Sequence, residues 1–429
     1  MVMMEQSRLT EFDPDNTDEP VDEWTFAGVD TKYMTHGLHP YPARMIPQVA
    51  RKLIQRYSKE GDTVWDPFCG SGSSLVESML TGRASIGTDL NPFAVFLSKV
   101  KTTPLDSDVL RRANEKLDHK IEAVRKQSHG TLEIPEMHNV DLWFKKYVQS
   151  DLAVIKEAVN SIEEEAVRDF FRLCLAHTAR ETSNLKKSEF KIVRMKEAEQ
   201  KTFNPDVYEV FRANIRRCIP LMVSFVKALP EGYRASKVIY ADNREAPIDD
   251  HSVDLVVTSP PYGDHGTTVA YGQFSRYPAH WIGLDYEQVR SVDRRGLGGR
   301  TPRDYDKTLL ESKTLDETYK RVYKNSPKRA KEFFNFFFDY SQSIEAMYQK
   351  LKVDGRACIV IGNRLMARVR IPTDKITAEL GSVVGFAYEI TMPRNIPTKR
   401  MPWQNAPENV EGFKADTMHN EHIVILRKA

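Results

Sequence analysis

Seven short apolar runs recur along the chain, at 63–65, 84–88, 237–240, 254–258, 356–361, 385–390 and 422–426. None alternates with polar residues and each ends in a turn or a polar switch, the pattern of strands covered on both faces. Between most of them the apolar positions move to helical spacing. Such segments occupy 47–57 ahead of the first run, 73–80 and 92–100 after the first two, and 333–351 and 373–380 before the fifth and sixth. Strand and helix in alternation predict a doubly wound α/β domain.

Two stretches break that rhythm. Residues 104–236 are helical in pattern almost throughout: Val109, Leu110, Ala113, Leu117, Ile121 and Val124 share one face behind a Ser107 cap, and Leu152, Ile155, Val159 and Ile162 form a second stripe. This predicts a helical insertion large enough to be a subdomain. Residues 263–332 are rich in Gly, Tyr and Arg and weakly periodic, and read as a long functional loop with some helix.

Composition changes the picture little until it is divided. The 429 residues are 41% apolar and 28% charged, which excludes wholesale disorder. No run approaches a membrane span and the first residues lack the order of a signal peptide, so a soluble, cytoplasmic protein is expected. The four cysteines (Cys69, Cys174, Cys218, Cys358) are far apart, which argues against a disulfide framework or a zinc site. The net charge is +2, yet residues 1–30 hold nine acids against Arg8 alone. That acidic leader reads as a solvated tail, and the body left behind it carries +10, enough to permit a polyanionic partner.

Two motifs carry chemistry. In Trp65-Asp66-Pro67-Phe68-Cys69-Gly70-Ser71-Gly72, a strand passes into a helix through a glycine turn, where backbone can approach a ligand closely beside a helix N-terminus. The bland alternative is a tight turn and nothing more. Asp89, ending the next strand, is placed to accept from a ribose diol, or simply to cap the helix at Pro92. In Thr258-Ser259-Pro260-Pro261-Tyr262, a buried strand runs into two prolines that fix the direction of the preceding carbonyls beside an aromatic ring. Rigid acceptors beside a ring suit an extruded base with an amino group; a strand stopped by Pro-Pro for structural reasons is the alternative.

Together DPFCGSG and TSPPY resemble the S-adenosylmethionine-dependent amino-methyltransferases that modify cytosine N4 or adenine N6 in DNA, most closely the cytosine-N4 members, in which the SPPY form is typical. The resemblance extends to 33–47 (YMTHGLHPYPARMIP), similar to the segment that closes over the methionine end of the cofactor, and to Asp242 after the third strand. It implies a Rossmann-like methyltransferase domain made of 31–103 and 237–429, with a mainly parallel seven-stranded sheet whose last pair is antiparallel. S-adenosylmethionine is the implied cofactor, held by Asp66, Phe68, Gly70, Gly72, Tyr41 and Pro42, with Asp89 on the ribose and Asp242 at the adenine. Ser259 and the Pro260 carbonyl are implied to accept from the target amine, next to Pro261, with Tyr262 stacking on the flipped base. No metal is called for. Duplex DNA is the implied partner, inside a prokaryotic cell; a cognate restriction endonuclease is a partner the resemblance leaves open.

The layout departs from the family's usual ones, because the large insertion falls between the Asp89 and Asp242 elements and little follows the last strand. Target recognition therefore has two candidate places: the arginines Arg290, Arg294, Arg295, Arg300 and Arg303, suited to phosphates or guanine edges, and Lys186, Lys187, Lys191, Arg194 and Lys196 of the insertion. His36 and His39 are expected to pack rather than to move protons. Asp264, His265, Asn363 and Arg364 are candidates to border the base pocket, and Arg394, Lys399, Arg400 and Trp403 form a further basic turn. An adenine-N6 or RNA-directed enzyme, and an idle binding subunit of the same fold, are the rival readings.

Overall fold

The computed structural model describes residues 21–127, 132–189, 191–263, 268–299, 306, 310–396, 404–405, 415–416 and 420–429. Its centre is a seven-stranded sheet of β1 (Thr63–Asp66), β2 (Ala84–Asp89), β3 (Ser236–Tyr240), β4 (Val253–Thr258), β5 (Leu351–Gly362), β8 (Phe386–Asn395) and β11 (Asn420–Lys428), in the order β3-β2-β1-β4-β5-β11-β8. Neighbours from β3 to β5 run parallel, and only β11 is reversed, antiparallel to both β5 and β8. All seven apolar runs are strands of this sheet. Two-residue ladders pair β6 (Leu365–Met366) with β7 (Val369–Arg370) and β9 (Gln404–Asn405) with β10 (Ala415–Asp416).

The absence of alternation in the strands has a direct cause. Leu255 and Val257 of β4, Cys358 and Val360 of β5, and Ile423 and Ile425 of β11 face α1 (Pro47–Tyr57) and Trp24. Their neighbours Val256, Ala357, Ile359, Val424 and Leu426 face the opposite side, under α12 (Lys313–Asn325), α13 (Pro327–Lys350) and α14 (Thr373–Val384). Successive side chains point to opposite faces and both faces are buried, so every position is apolar. α13 supplies Phe333, Phe334, Phe336, Phe337 and Tyr340 to that second core, all essentially without exposure. Proline opens α1, α13 and α3 (Pro92–Lys101), where its missing N–H costs nothing.

The 104–236 stretch contains α4 (Ser107–Gln127), α5 (Val140–Trp143), α6 (Lys146–Asn160), α7 (Glu165–Thr182), α8 (Glu197–Thr202) and α9 (Val207–Ala228). Both apolar stripes are buried as read, although Asp106 rather than Ser107 caps α4: its carboxylate accepts from the N–H groups of Asp108 and Val109 at 2.8 and 3.1 Å. The helices do not enclose a core of their own. Phe170, Phe171, Phe211 and Phe225 join one cluster with Val76 and Met79 of α2 (Ser73–Leu80), Phe93 and Leu97 of α3, and Phe274 and Trp281 of α10 (Tyr271–Trp281). The insertion is thus welded to the β2–β3 side of the domain. The 263–332 stretch, expected to be largely loop, holds α10, α11 (Tyr286–Arg295) and α12. Its aromatic residues hide the helical period because α10 is covered nearly all round.

Candidate active site

β1 and β4 are adjacent and parallel, with Trp65 beside Val256, so both motifs leave the sheet at the same edge. There they bond directly. The Thr258 hydroxyl donates to Asp66 Oδ1 at 2.7 Å, across 192 positions of chain. Asp66 also accepts from Phe68 N–H at 3.1 Å and from the Ser74 hydroxyl. Burial pushes this carboxyl up to about 6, against the opposing pull of its three hydrogen bonds.

The glycine turn is shaped by close approaches. Gly70 has φ +51° and donates its N–H to Asp89 Oδ2 at 2.9 Å; a Cβ there would stand 3.3 Å from the Tyr41 ring. Asp89 Oδ1 accepts from Asn91 N–H at 2.8 Å, and burial pushes this carboxyl too up to about 6. Asn91, not Asp89, caps α3, accepting from Phe93 N–H at 3.1 Å. Asp89 is therefore free of the capping duty and lines the cleft. Gly72 differs from its expected role. It precedes α2 with φ +78°, its N–H is spent on the Cys69 carbonyl at 2.7 Å, and a Cβ would meet Ser98 Oγ at 2.9 Å. It does not line the cleft; it lets α2 and α3 pack closely behind the turn.

Facing this turn, the 33–47 segment is anchored from below. Glu77 of α2, fully buried, accepts from Tyr33 Oη and Arg51 Nε at 2.5 Å each and lies 2.7 Å from His36 Nε2. Burial holds the His36 imidazole neutral, down to about 4 despite that carboxylate, and holds His39 well below its ordinary value. Both histidines pack. The clasp delivers Tyr41, whose ring stacks on Tyr271 of α10 at 5.8 Å and whose hydroxyl accepts from Asn91 Nδ2 at 3.2 Å. At the β3 end, Asp242 is bidentate with Arg244, with Nε–Oδ1 at 2.8 Å and Nη2–Oδ2 at 2.5 Å, and Arg244 also pairs with Asp339 at 3.1 Å.

These groups line one cleft, with about 1050 Å³ of empty space counted out through its open mouth. Tyr41, Pro42, Asp66, Phe68, Gly70, Asp89, Asp242, Ser259 and Pro261 all line it. Pro260 is buried beneath the tetrad. Tyr262 is half-buried and turned from the cleft: its hydroxyl donates to Glu421 Oε1 at 2.7 Å and lies 3.3 Å from Ser259 Oγ. Glu421, at the start of the reversed strand, is held in turn by the buried Arg394, whose Nε donates to the Trp24 carbonyl at 3.1 Å. The Tyr262 hydroxyl is thus tied to the sheet edge, which fixes the position of its ring. Arg394 belongs to this buried support rather than to a basic turn. Arg364 packs its guanidinium on Gly263, and Asn363 Oδ1 accepts from Asp374 N–H at 3.2 Å.

The arginines separate. Arg290 and Arg294 lie on the exposed side of α11, Arg290 3.6 Å from Glu287. Arg295 turns inward, donating to Tyr240 Oη at 2.6 Å over the tyrosine ring, at the end of β3. Its neighbours Val292, Asp293, Gly296 and Leu297 line the cleft, while its own guanidinium is engaged with Tyr240. Lys187 likewise donates to the Arg180 and Ser183 carbonyls at the end of α7. Arg300, Arg303, Asp264, His265, Lys399, Arg400, Trp403 and residues 1–20 of the acidic leader lie outside the described residues. Sequence reasoning missed Tyr271, Asn91, Asp293, Glu77 and Glu421. Asn91 follows Asp89 by two and was within reach; the others have no local signature.

The comparisons follow from this geometry. A DNA methylase family profile, named for N6 and N4 enzymes, matches residues 4–100. The type II methyltransferase M.MvaI of Kocuria varians is 36% identical over 425 residues, spanning 94% of this chain and 93% of that protein. The chain belongs to the DNA amino-methyltransferase family. Within that family S-adenosylmethionine is the methyl donor and DNA the substrate, so the chain is a methyltransferase. The type II methyltransferase M.MjaII of Methanocaldococcus jannaschii is 40% identical over 82 residues, 19% of this chain and 15% of that one. Among solved structures, a SAM-dependent methyltransferase of Methanosarcina mazei aligns at 10% identity over 87% of this chain and 96% of its own, with a TM-score of 0.31, too loose a match to carry an argument. Among the described residues no helix of this amino-methyltransferase is long and apolar enough to cross a membrane, and no cluster of His, Cys, Asp or Glu is placed to hold a metal.

Proposed function

We propose that this amino-methyltransferase acts on cytosine N4 in a short sequence of duplex DNA, as a type II modification enzyme of the prokaryotic cytoplasm. The observation that carries the reading is the Thr258–Asp66 hydrogen bond, which sets the SPPY tetrad and the glycine turn on facing walls of one cleft. The residues fit the cofactor: a carboxylate (Asp89) stands where a diol would be held, a second (Asp242) lies toward β3, and Gly70 leaves room that a Cβ would take. When bound, S-adenosylmethionine supplies an electrophilic sulfonium methyl group.

The remaining work falls to this chain's own residues. An exocyclic amine is a poor nucleophile because its lone pair is delocalised into the ring. Ser259 Oγ and the Pro260 carbonyl accept hydrogen bonds from its N–H groups, favouring the tetrahedral nitrogen whose lone pair is localised and stabilising the positive charge that grows there. Pro261 fixes the carbonyl's direction, so no reorganisation is needed as the charge develops. Orientation across the cleft supplies much of the remaining rate. The serine at the head of the tetrad supports cytosine over adenine, and the type II designation of M.MvaI supports pairing with a restriction endonuclease.

Incubating the chain with labelled cofactor and DNA or RNA, then digesting to nucleosides, tests this by mass spectrometry. N4-methylcytosine from DNA is expected. N6-methyladenine would transfer the reading to the adenine branch, product from RNA alone would overturn the substrate, and salt-sensitive binding without product would leave an idle subunit.

A further inference from the structure

A second cavity lies on the far side of α10. It offers about 650 Å³ of empty space between α10, the start of α11 and the loop leading into α5. Three aromatic side chains, Trp143, Tyr277 and Tyr286, wall it, with Arg276, Gln273 and His138 as its polar groups. The Trp143 and Tyr277 rings are 5.2 Å apart, and Tyr286 is fixed against His280 at 4.5 Å, so the walls are braced by neighbours. Arg276 is the unusual member. Its Nε is buried with no hydrogen-bond partner. Gln273 spends its amide oxygen on Ile192 N–H at 3.3 Å, which leaves its NH2 as a donor.

We propose that this cavity is a second base pocket, which receives an unstacked guanine of the bound DNA. The argument rests on the DNA reading above and deepens it. An arginine whose Nε is buried and unsatisfied can offer a guanidinium edge to two adjacent acceptors, and aromatic walls call for a planar ligand. Guanine presents that pair as O6 and N7, whereas adenine sets a donor beside its N7. A phosphate would satisfy the arginine and leave the rings unused. Position agrees with this. Tyr271 at the start of α10 lines the methyl-transfer cleft and Tyr277 lines this cavity, about 9 Å further along the same helix at 1.5 Å per residue.

The test uses fluorescent thymine nonamers with a single central guanine, adenine or cytosine, binding read by anisotropy for the full chain, Arg276→Gln and Tyr286→Leu. The wild-type chain should favour the guanine probe by roughly 5- to 150-fold. R276Q should abolish that preference, Y286L should weaken the guanine probe about tenfold, and both should keep the wild-type affinity for S-adenosylmethionine, which reports an intact fold. Equal binding of the three probes by the wild type, or a guanine preference that survives R276Q, overturns the proposal. A cytosine preference does so too. Methyl transfer to duplex DNA is measured in parallel: transfer without guanine preference removes the second pocket alone, and absence of transfer removes the function instead.

Discussion

The two walls of the cleft are built in opposite ways. The wall from Asp66 to Asn91 comes from 26 consecutive positions, two strand ends and two helix starts, and its bonds run between near neighbours: Gly70 to Asp89, Asn91 to Asp89, Phe68 to Asp66. The opposite wall is assembled from Ser259 and Pro261, Tyr271 and the end of α11, and is supported from behind by Tyr262, tied to Glu421 159 residues away. One wall is turn chemistry, the other is a meeting of distant elements. A local wall can be deleted one donor at a time; a composite wall fails through its supports.

That contrast orders the expected effects. The largest is at the tetrad: Ser259→Ala should lower the methylation rate by roughly 10²- to 10³-fold, the loss expected when one acceptor for developing charge is removed, with cofactor affinity from calorimetry unchanged. Unchanged turnover would remove Ser259 from the chemistry. On the local wall, Asp89→Ala should weaken S-adenosylmethionine binding about 10- to 100-fold, in proportion to a hydrogen bond to a charged group, with kcat at saturating cofactor much less affected.

A pH measurement sharpens the comparison next. Asp66 titrates at about 6 in the folded chain against 3.8 for the free carboxyl. A carboxyl so raised binds more protons folded than unfolded, so its stabilisation is complete below about pH 4 and is lost as pH rises through about 6. Asp66→Asn should therefore gain on the wild type by about 2 kcal/mol between pH 4 and 7 in urea unfolding of the cofactor-free protein. A parallel pair of stability curves would refute the burial argument. The smallest effects belong to α11. Arg290→Ala and Arg294→Ala should each lower the salt slope of DNA binding by about one, whereas Arg295→Ala should change cofactor affinity through Tyr240 and leave that slope alone.

What was legible follows the same division. The seven strands were readable because burial on both faces makes the runs apolar without alternation, and α1 because only one of its faces is buried. Asp66, Gly70, Asp89, Ser259 and Pro261 were readable as residues of one cleft because a tight turn or a Pro-Pro kink demands particular residue types at fixed offsets. Gly72 was misplaced because a glycine needed for helix packing looks, in sequence, like one needed for a ligand. Arg295 was misplaced because charge density says nothing of which way a guanidinium turns.

The amino-acid sequence by itself determined the individual strands, the glycine turn and the Pro-Pro kink after Ser259, since each is specified by residues within a few positions of one another. Only the tertiary structure decided that 104–236 shares its core with α2, α3 and α10, that Glu77 clasps Tyr33, His36 and Arg51, and that Glu421 holds Tyr262. Those contacts pair groups some 26 to 160 residues apart, and a buried carboxylate is tolerated only where the whole fold has already gathered its partners around it.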